Sequence, residues 1–197
     1  MSKLVWNPGT LLAPVPPALV SCGTLEHPNV LTVAWTGIVC TKPTMTYVSI
    51  RPSRYSYKLI RESGEFVINL TTKELVRACD YCGVRSGANE DKLAACKLTA
   101  EPASKVSAPL IAQSPLSLEC RVKDVLPLGS HDMFLAEVVA VNVDEQYVDK
   151  AGKLHLGKSG LIAYAHGEYF ELGAKLGSFG YSVRKKPAPG KRKPKRK

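Results

Sequence analysis

The 197-residue chain lacks any apolar run long enough to cross a membrane as a helix. Its longest runs, such as AEVVAVNV, are short and carry polar residues. It also lacks a continuous apolar segment near its start, because four prolines and a glycine interrupt MSKLVWNPGTLLAPVPPALV. No secretory signal is expected, which makes the cytoplasm the expected compartment and reduced thiols the expected state of the six cysteines. There is no glycine loop of the Walker or Rossmann kind, no nucleophile triad and no carboxylate pair; GVRSG and GKSG are too short and wrongly placed. These absences exclude P-loop nucleotide hydrolysis, a dinucleotide-binding domain of Rossmann type and hydrolysis by paired acids. No fixed-period repeat and no βαβ rhythm appear either.

Acidic residues are missing from one place in particular. The last fourteen residues, RKKPAPGKRKPKRK, hold nine Lys or Arg and no Asp or Glu, whereas the rest of the chain sets 18 basic against 17 acidic residues. The formal charge of +10 therefore belongs to a tail and not to the body. Residues 1–183 read as one domain and 184–197 as a disordered, solubilising tail, with an arm for an anionic partner as the alternative. Nucleic acid and membrane are not expected as partners.

What is present is a series of short β-rich runs: VLTVAW, TMTYVSI, EFVINL, LSLECRVKDVL and MFLAEVVAV, each bounded by Gly, Pro, Asn or Ser. Leu116, Leu118, Cys120 and Val122 alternate with polar neighbours, as do Phe134, Ala136, Val138 and Ala140, the pattern of half-buried strands. Helices are fewer. SRYSYKLIRESG offers Ser53 as a cap and Gly64 as a stop, TTKELVRACDYCG places Thr71 and Glu74 at capping-box spacing with Gly83 past its end, and EDKLAACKL suits a short turn. The expected class is mainly antiparallel β, a barrel or sandwich with a few helices packed on it.

Two segments carry the chemistry. RACDYCGVRSGANEDK contains the pair Cys79 and Cys82, but these share a helix face with Leu75 and Val76, and no second pair completes a zinc site. No metal is expected, and the cysteines read as packing. The same stretch supplies Ser86, Gly87 and Lys92, and SIRPSRYSYKLI supplies Arg51, Ser53, Arg54 and Ser56 around a helix start. Hydroxyls, guanidinium groups and free amides at a helix start are the donors an anion requires, with a solvated face and a plain cap as the alternative.

Six elements in order, NVLTVAWTGIVCTKP, VSIRPSRYSY, GEFVINL, DYCGVRSGANEDK, LECRVKDVLPLGSHDMFLAEVVAV and LIAYAHGEYFELG, make residues 10–183 resemble the flavin reductase-like, flavoredoxin-type FMN-binding split-barrel proteins. The resemblance implies a six-stranded split β-barrel that forms a homodimer with FMN at the subunit interface. It assigns Asn29, Thr32, Ala34, Trp35 and Thr36 to the strand along the isoalloxazine ring, and Ser49, Ile50 and Arg51 to the next strand end. It assigns Tyr55 and Ser56 to the phosphate at a helix start, with Cys82, Gly83, Ser86, Gly87 and Lys92 completing that grip. Trp35 reads either as a stacking partner of the ring or as a core tryptophan. His131, in a loop before a strand, matches a histidine that meets the nicotinamide of NAD(P)H; its alternative is a turn residue bonded to its own backbone. One departure is that Ala88 and Asn89 follow Ser-Gly where many relatives carry Arg-Asp. The implied function is an FMN-dependent oxidoreductase taking hydride from NAD(P)H and reducing a flavin, a metal chelate or a protein. The alternatives are a flavoredoxin-type electron carrier without direct NAD(P)H oxidation and a non-redox binding module.

Overall fold

A computed structural model describes residues 1–184, so the expected tail from 185 onward lies outside the described residues. The principal sheet contains β1 (Ala18–Gly23), β2 (Pro28–Val33), β3 (Thr36–Thr41), β4 (Thr44–Ile50), β5 (Glu65–Leu70), and the long strands β8 (Leu116–Pro127) and β9 (Asp132–Val143). Its order is β2-β1-β5-β8-β9-β4-β3, antiparallel throughout. Two minor pairs, β6 (Ala100–Glu101) with β7 (Leu110–Ile111) and β10 (Ile162–Ala165) with β11 (Glu168–Glu171), sit outside it.

The expected six-stranded barrel is thus corrected to one seven-stranded sheet that does not close. β2 and β3 follow each other in the chain, separated by Ala34 and Trp35, yet they occupy opposite edges of the hydrogen-bonded order. Two residues cannot span a flat sheet of that width, so the sheet curls until its edges approach. The Ser49 N–H donates to the Trp35 carbonyl at 2.9 Å across this corner. The split between the edges is where the groove described below opens.

The curl encloses Val20, Leu31, Val48, Ile60, Phe66, Ile68 and Phe134 in one core. Phe66 and Phe134 are fully buried, each worth roughly 1.5–3 kcal/mol relative to exposure. β1 is buried on both faces. Ala18, Val20 and Cys22 point into the curled sheet, while Leu19 packs outward against Leu75, Ala78, Cys82 and Leu93 of the helical layer. That double burial removes the alternation a sequence reader looks for, and β1 was absent from the expected strands for this reason.

Among the described residues three α-helices complete the fold: α1 (Tyr55–Ser63), α2 (Val76–Val84) and α3 (Lys92–Cys96). Gly64 ends α1 as expected, with φ of 67° and its N–H on the Ile60 carbonyl. Three terminal expectations are corrected. Arg54, not Ser53, caps α1, and no side chain bonds its first amides. Thr71 does not cap α2, since its hydroxyl donates to the Pro17 carbonyl and a 3-10 turn led by Thr72 precedes the helix. Gly83 lies inside α2 rather than beyond it. A Cβ there would stand 3.3 Å from the Thr32 Cβ, so close packing of α2 on β2 is what favours glycine at this position. Of the expected helix face, Leu75, Cys79 and Cys82 are buried and Val76 is half-buried. No helix among the described residues is long and apolar enough to cross a membrane.

Candidate functional site

Two cavities of about 320 and about 360 Å³ share Leu31, Thr32, Arg51, Arg54 and Gly83, and so form one groove along the split. Its first half is a slot between strand ends. Thr32–Trp35 form one wall and Ser49–Arg51 another, with His131, Tyr164 and Tyr169 around the mouth. Its second half is a pocket between the start of α1 and the end of α2, lined by Tyr55, Ser56, Cys82, Arg85, Ser86, Gly87 and Lys92.

The pocket is electrically one-sided. Arg51, Arg54, Arg85 and Lys92 line it, and no carboxylate does among the described residues. Arg85 is drawn only loosely to Glu90, at 3.9 Å. Lys92 is the unusual member because it is only 3% exposed. Its Nζ donates to the carbonyls of Cys82 (3.1 Å) and Arg85 (3.2 Å) at the end of α2, where the helix dipole favours a cation. Burial pushes its pKa down, and the neighbouring Cys82 and Cys22 thiols oppose that shift. An ammonium has three donors, so one remains for an anion in the pocket. The start of α1, whose cap makes no side-chain hydrogen bond, lines the same space through Tyr55 and Ser56, where a helix start favours an anion.

The floor is held by residues that do not face the groove. Asn29 is buried and its amide donates to the Ser56 hydroxyl at 2.6 Å and to the Cys22 sulfur at 3.4 Å. Its carboxamide oxygen would stand 2.0 Å from a Cβ at position 87, so only glycine lets the Ser86–Gly87 turn lie on it. Asn29 therefore supports the pocket wall from below. Thr36 is likewise not in the groove; its hydroxyl donates to the Tyr47 carbonyl within the sheet. The other expected residues, Thr32, Ala34, Trp35, Ser49, Ile50, Arg51, Tyr55, Ser56, Cys82, Gly83, Ser86, Gly87, Lys92 and His131, are brought together along it.

Trp35 is 38% exposed at the slot, which removes the core-tryptophan reading. His131 closes a turn, its carbonyl accepting from Leu128 N–H and its Nδ1 lying 2.9 Å from the Ser130 hydroxyl. It also lines the slot, so the turn role and the groove position coexist. Burial, then Arg51 and Arg54, hold its pKa below the ordinary histidine value and favour the neutral ring. Of the other histidines, His155 pairs with Asp149 at 2.8 Å, His27 is exposed, and His166 lies beside an adjoining cavity and not in the groove.

Sequence reasoning counted Arg54 among the anion donors at the start of α1 but left out Arg85, although GVRSG places it beside Ser86. Asp80, Tyr164 and Tyr169 gave no local signal. Asp80 reaches the slot from α2, and the two tyrosines reach it because the β10–β11 hairpin folds back, Tyr164 bridging Val15 and the Tyr169 hydroxyl donating to Asp80 at 3.3 Å.

Comparison with known proteins gives this arrangement a context. The model of the flavin reductase like domain matches residues 11–173. Flavoredoxin of Desulfovibrio vulgaris superposes with a TM-score of 0.85 at 32% identity, covering 93% of this chain and all of that one. Flavoredoxin from Methanosarcina acetivorans superposes at 0.84 with 26% identity and the same coverage. An uncharacterized protein of Archaeoglobus fulgidus is 36% identical over 149 residues, 76% of this chain and 84% of its own. This chain belongs to the flavin reductase-like split-barrel family that includes the flavoredoxins.

Proposed function

We propose that the groove binds FMN and that the protein works as a flavoredoxin-type electron-transfer flavoprotein. The observation that carries this reading is the union, in one groove, of a pocket lined, among the described residues, by four cations and no carboxylate with a slot walled by strand backbone. A phosphomonoester on a flat ring system has those two needs. The combined space lies within the roughly 300–1,000 Å³ usual for small-molecule sites, and the likeness to two flavoredoxin structures supports the same ligand. When bound, FMN supplies the redox chemistry at its ring.

The chain's own residues would hold and shape the site. Arg51, Arg54, Arg85 and Lys92 neutralise the phosphate, while the Ser56 and Ser86 hydroxyls and the first amides of α1 donate to its oxygens. The strand segments Thr32–Trp35 and Ser49–Arg51 offer backbone donors and acceptors to the ring edge, and Trp35 offers a stacking face. Ala88 is exposed and outside the groove. Arg54 and Arg85 compensate in charge for the arginine that many relatives carry there, which weakens the case for a non-redox module. A second copy would shield the open side of the slot. Exposed Ile38 and Val39 on the edge strand β3, close in sequence to Trp35, are the surface proposed to bring it there.

Direct reduction by NAD(P)H is the second reading, and His131 favours it. A neutral imidazole at the slot mouth can pack on a nicotinamide without repelling the cation formed as hydride leaves. The deciding measurement is an anaerobic visible spectrum of the protein with FMN, before and after NADH or NADPH. Flavin that stays oxidised with pyridine nucleotide, and bleaches with a reduced protein donor, is the expected result. Rapid bleaching by NAD(P)H that Histidine-to-alanine substitution (His131→Ala) slows would establish the reductase instead. Failure to retain FMN would overturn both.

A further inference from the structure

The cysteines were read from sequence as packing, with Cys79 and Cys82 as the obvious pair and Cys96 unpartnered. The fold pairs them differently. The Cys82 Sγ, near the end of α2, lies 4.0 Å from the Sγ of Cys96, the last residue of α3. Cys82 is 1% exposed and lines the cation pocket. Cys96 is half-buried and lines a separate cavity of about 590 Å³, with Tyr81, Lys97 and Gln113. The thiol pair thus joins the lining of the groove to the lining of a second cavity.

We infer that Cys82 and Cys96 are a reversible disulfide-forming pair, a site of thiol oxidation that closes a covalent loop around the Gly83–Lys92 wall of the cation pocket. A disulfide places its sulfurs about 2.05 Å apart, so the two must approach by about 2 Å. α2 is anchored through Ala78 and Cys82 against Leu19 and Val30. α3 is five residues long and ends at Lys97 in a left-handed conformation, so Cys96 is the side that moves.

The chemistry balances with a hydroperoxide as oxidant. The Cys96 thiolate attacks the distal oxygen, giving a sulfenic acid and releasing the alcohol, or water when the oxidant is hydrogen peroxide. The Cys82 sulfur then attacks the Cys96 sulfur, its proton leaves with the departing hydroxyl as water, and the S–S bond forms. Two thiols are oxidised and one peroxide bond is reduced. The order follows from access, since Cys96 meets the open cavity whereas burial pushes the Cys82 thiol up to about 12. Cys82 is therefore the resolving partner.

Within the closed loop lie Arg85, Ser86, Gly87 and Lys92, and the Cys82 carbonyl is itself an acceptor for Lys92. Tying the two ends holds these donors in register, which slows release of whatever they grip. That consequence rests on the FMN reading above, whereas the thiol pair does not. The test uses the full chain, treated with hydrogen peroxide or with dithiothreitol, alkylated, and cut with trypsin. The expected product joins ACDYCGVR to LAACK, is absent in Cys96→Ser and Cys82→Ser, and persists in Cys79→Ser. FMN release is expected to be several-fold slower after oxidation, and unchanged by oxidation in Cys96→Ser. Free LAACK after oxidation, or a bridge within ACDYCGVR, overturns the inference. A joined pair with equal release in both states overturns the coupling alone, and a joined pair on a chain that never retains FMN upholds the pair while removing the flavin reading.

Discussion

At the scale of single residues, the site depends on two kinds of constraint that look alike in sequence. Gly83 and Gly87 both face the groove, but the first is merely close to Thr32 while the second lies directly on the Asn29 carboxamide. Asn29 cannot swing away without losing Ser56. Gly87→Ala is therefore expected to destabilise the fold by about 1–3 kcal/mol and to weaken FMN binding, as read by urea unfolding and flavin titration; Gly83→Ala should cost less on both counts. His131 supplies a pH dependence. Its folded pKa lies below the ordinary 6.5 because burial and then Arg51 and Arg54 disfavour the charged ring. Between that lower value and 6.5 the unfolded chain binds more protons than the folded one. The His131 contribution is thus present above 6.5 and is lost as pH falls through the window. An NMR titration is expected to give a midpoint below 6.5 that rises in Arg51→Gln. A midpoint unmoved by that change would detach His131 from the arginine pair.

At the scale of elements, the long β8 strand organises the far side of the sheet through a buried charge. Glu119 is fully buried at a bulge, and accepts from Ser104 N–H and hydroxyl, Lys105 N–H and Asn142 at 2.6–2.9 Å. Burial acts to raise its pKa, but these donors together outweigh it, and the carboxyl is held below its ordinary value. The segment from Ala103 to Leu110 is pinned by this cage and covers Val67. Glu119→Ala strands several donors, and a loss of roughly 2–4 kcal/mol is expected in chemical denaturation. The sign of its pH effect follows from the lowered pKa. The stabilisation is present above about 4.5 and is lost as pH falls towards the folded value, so the acid limb of stability should flatten in the variant.

At the scale of the whole molecule, a curled sheet that leaves β3 as an edge poses the question of what covers it. β3 presents Ile38 at 83% exposure beside Val39, directly after the Trp35 corner of the slot. If a second copy packs there, Ile38→Glu places a charge in that contact. Sedimentation is then expected to shift from dimer to monomer, with FMN affinity falling at least about tenfold, or 1.4 kcal/mol. A wild-type chain that sediments as a monomer with FMN tightly bound would overturn the shared-site reading.

Much of this was determined by the sequence alone, and the reason is locality. Cys120, Phe134 and Ala136 show their inward faces through period-two alternation, and Gly64 shows the end of α1 through the backbone conformation only glycine adopts freely. The anion donors of the groove were legible too, because they sit in short contiguous segments around a helix start, whereas its ring-side residues were legible only through the family resemblance. Tertiary structure decided the rest wherever a contact joins distant segments. β1 was hidden because Leu19 and Val20 bury opposite faces. The supporting role of Asn29, the turning of Lys92 onto the end of α2, the arrival of Tyr164 and Tyr169, and the pairing of Cys82 with Cys96 all need α2, α3 and the β10–β11 hairpin packed in place. Periodicity reports which face of an element is buried; only the folded chain specifies which other element it is buried against.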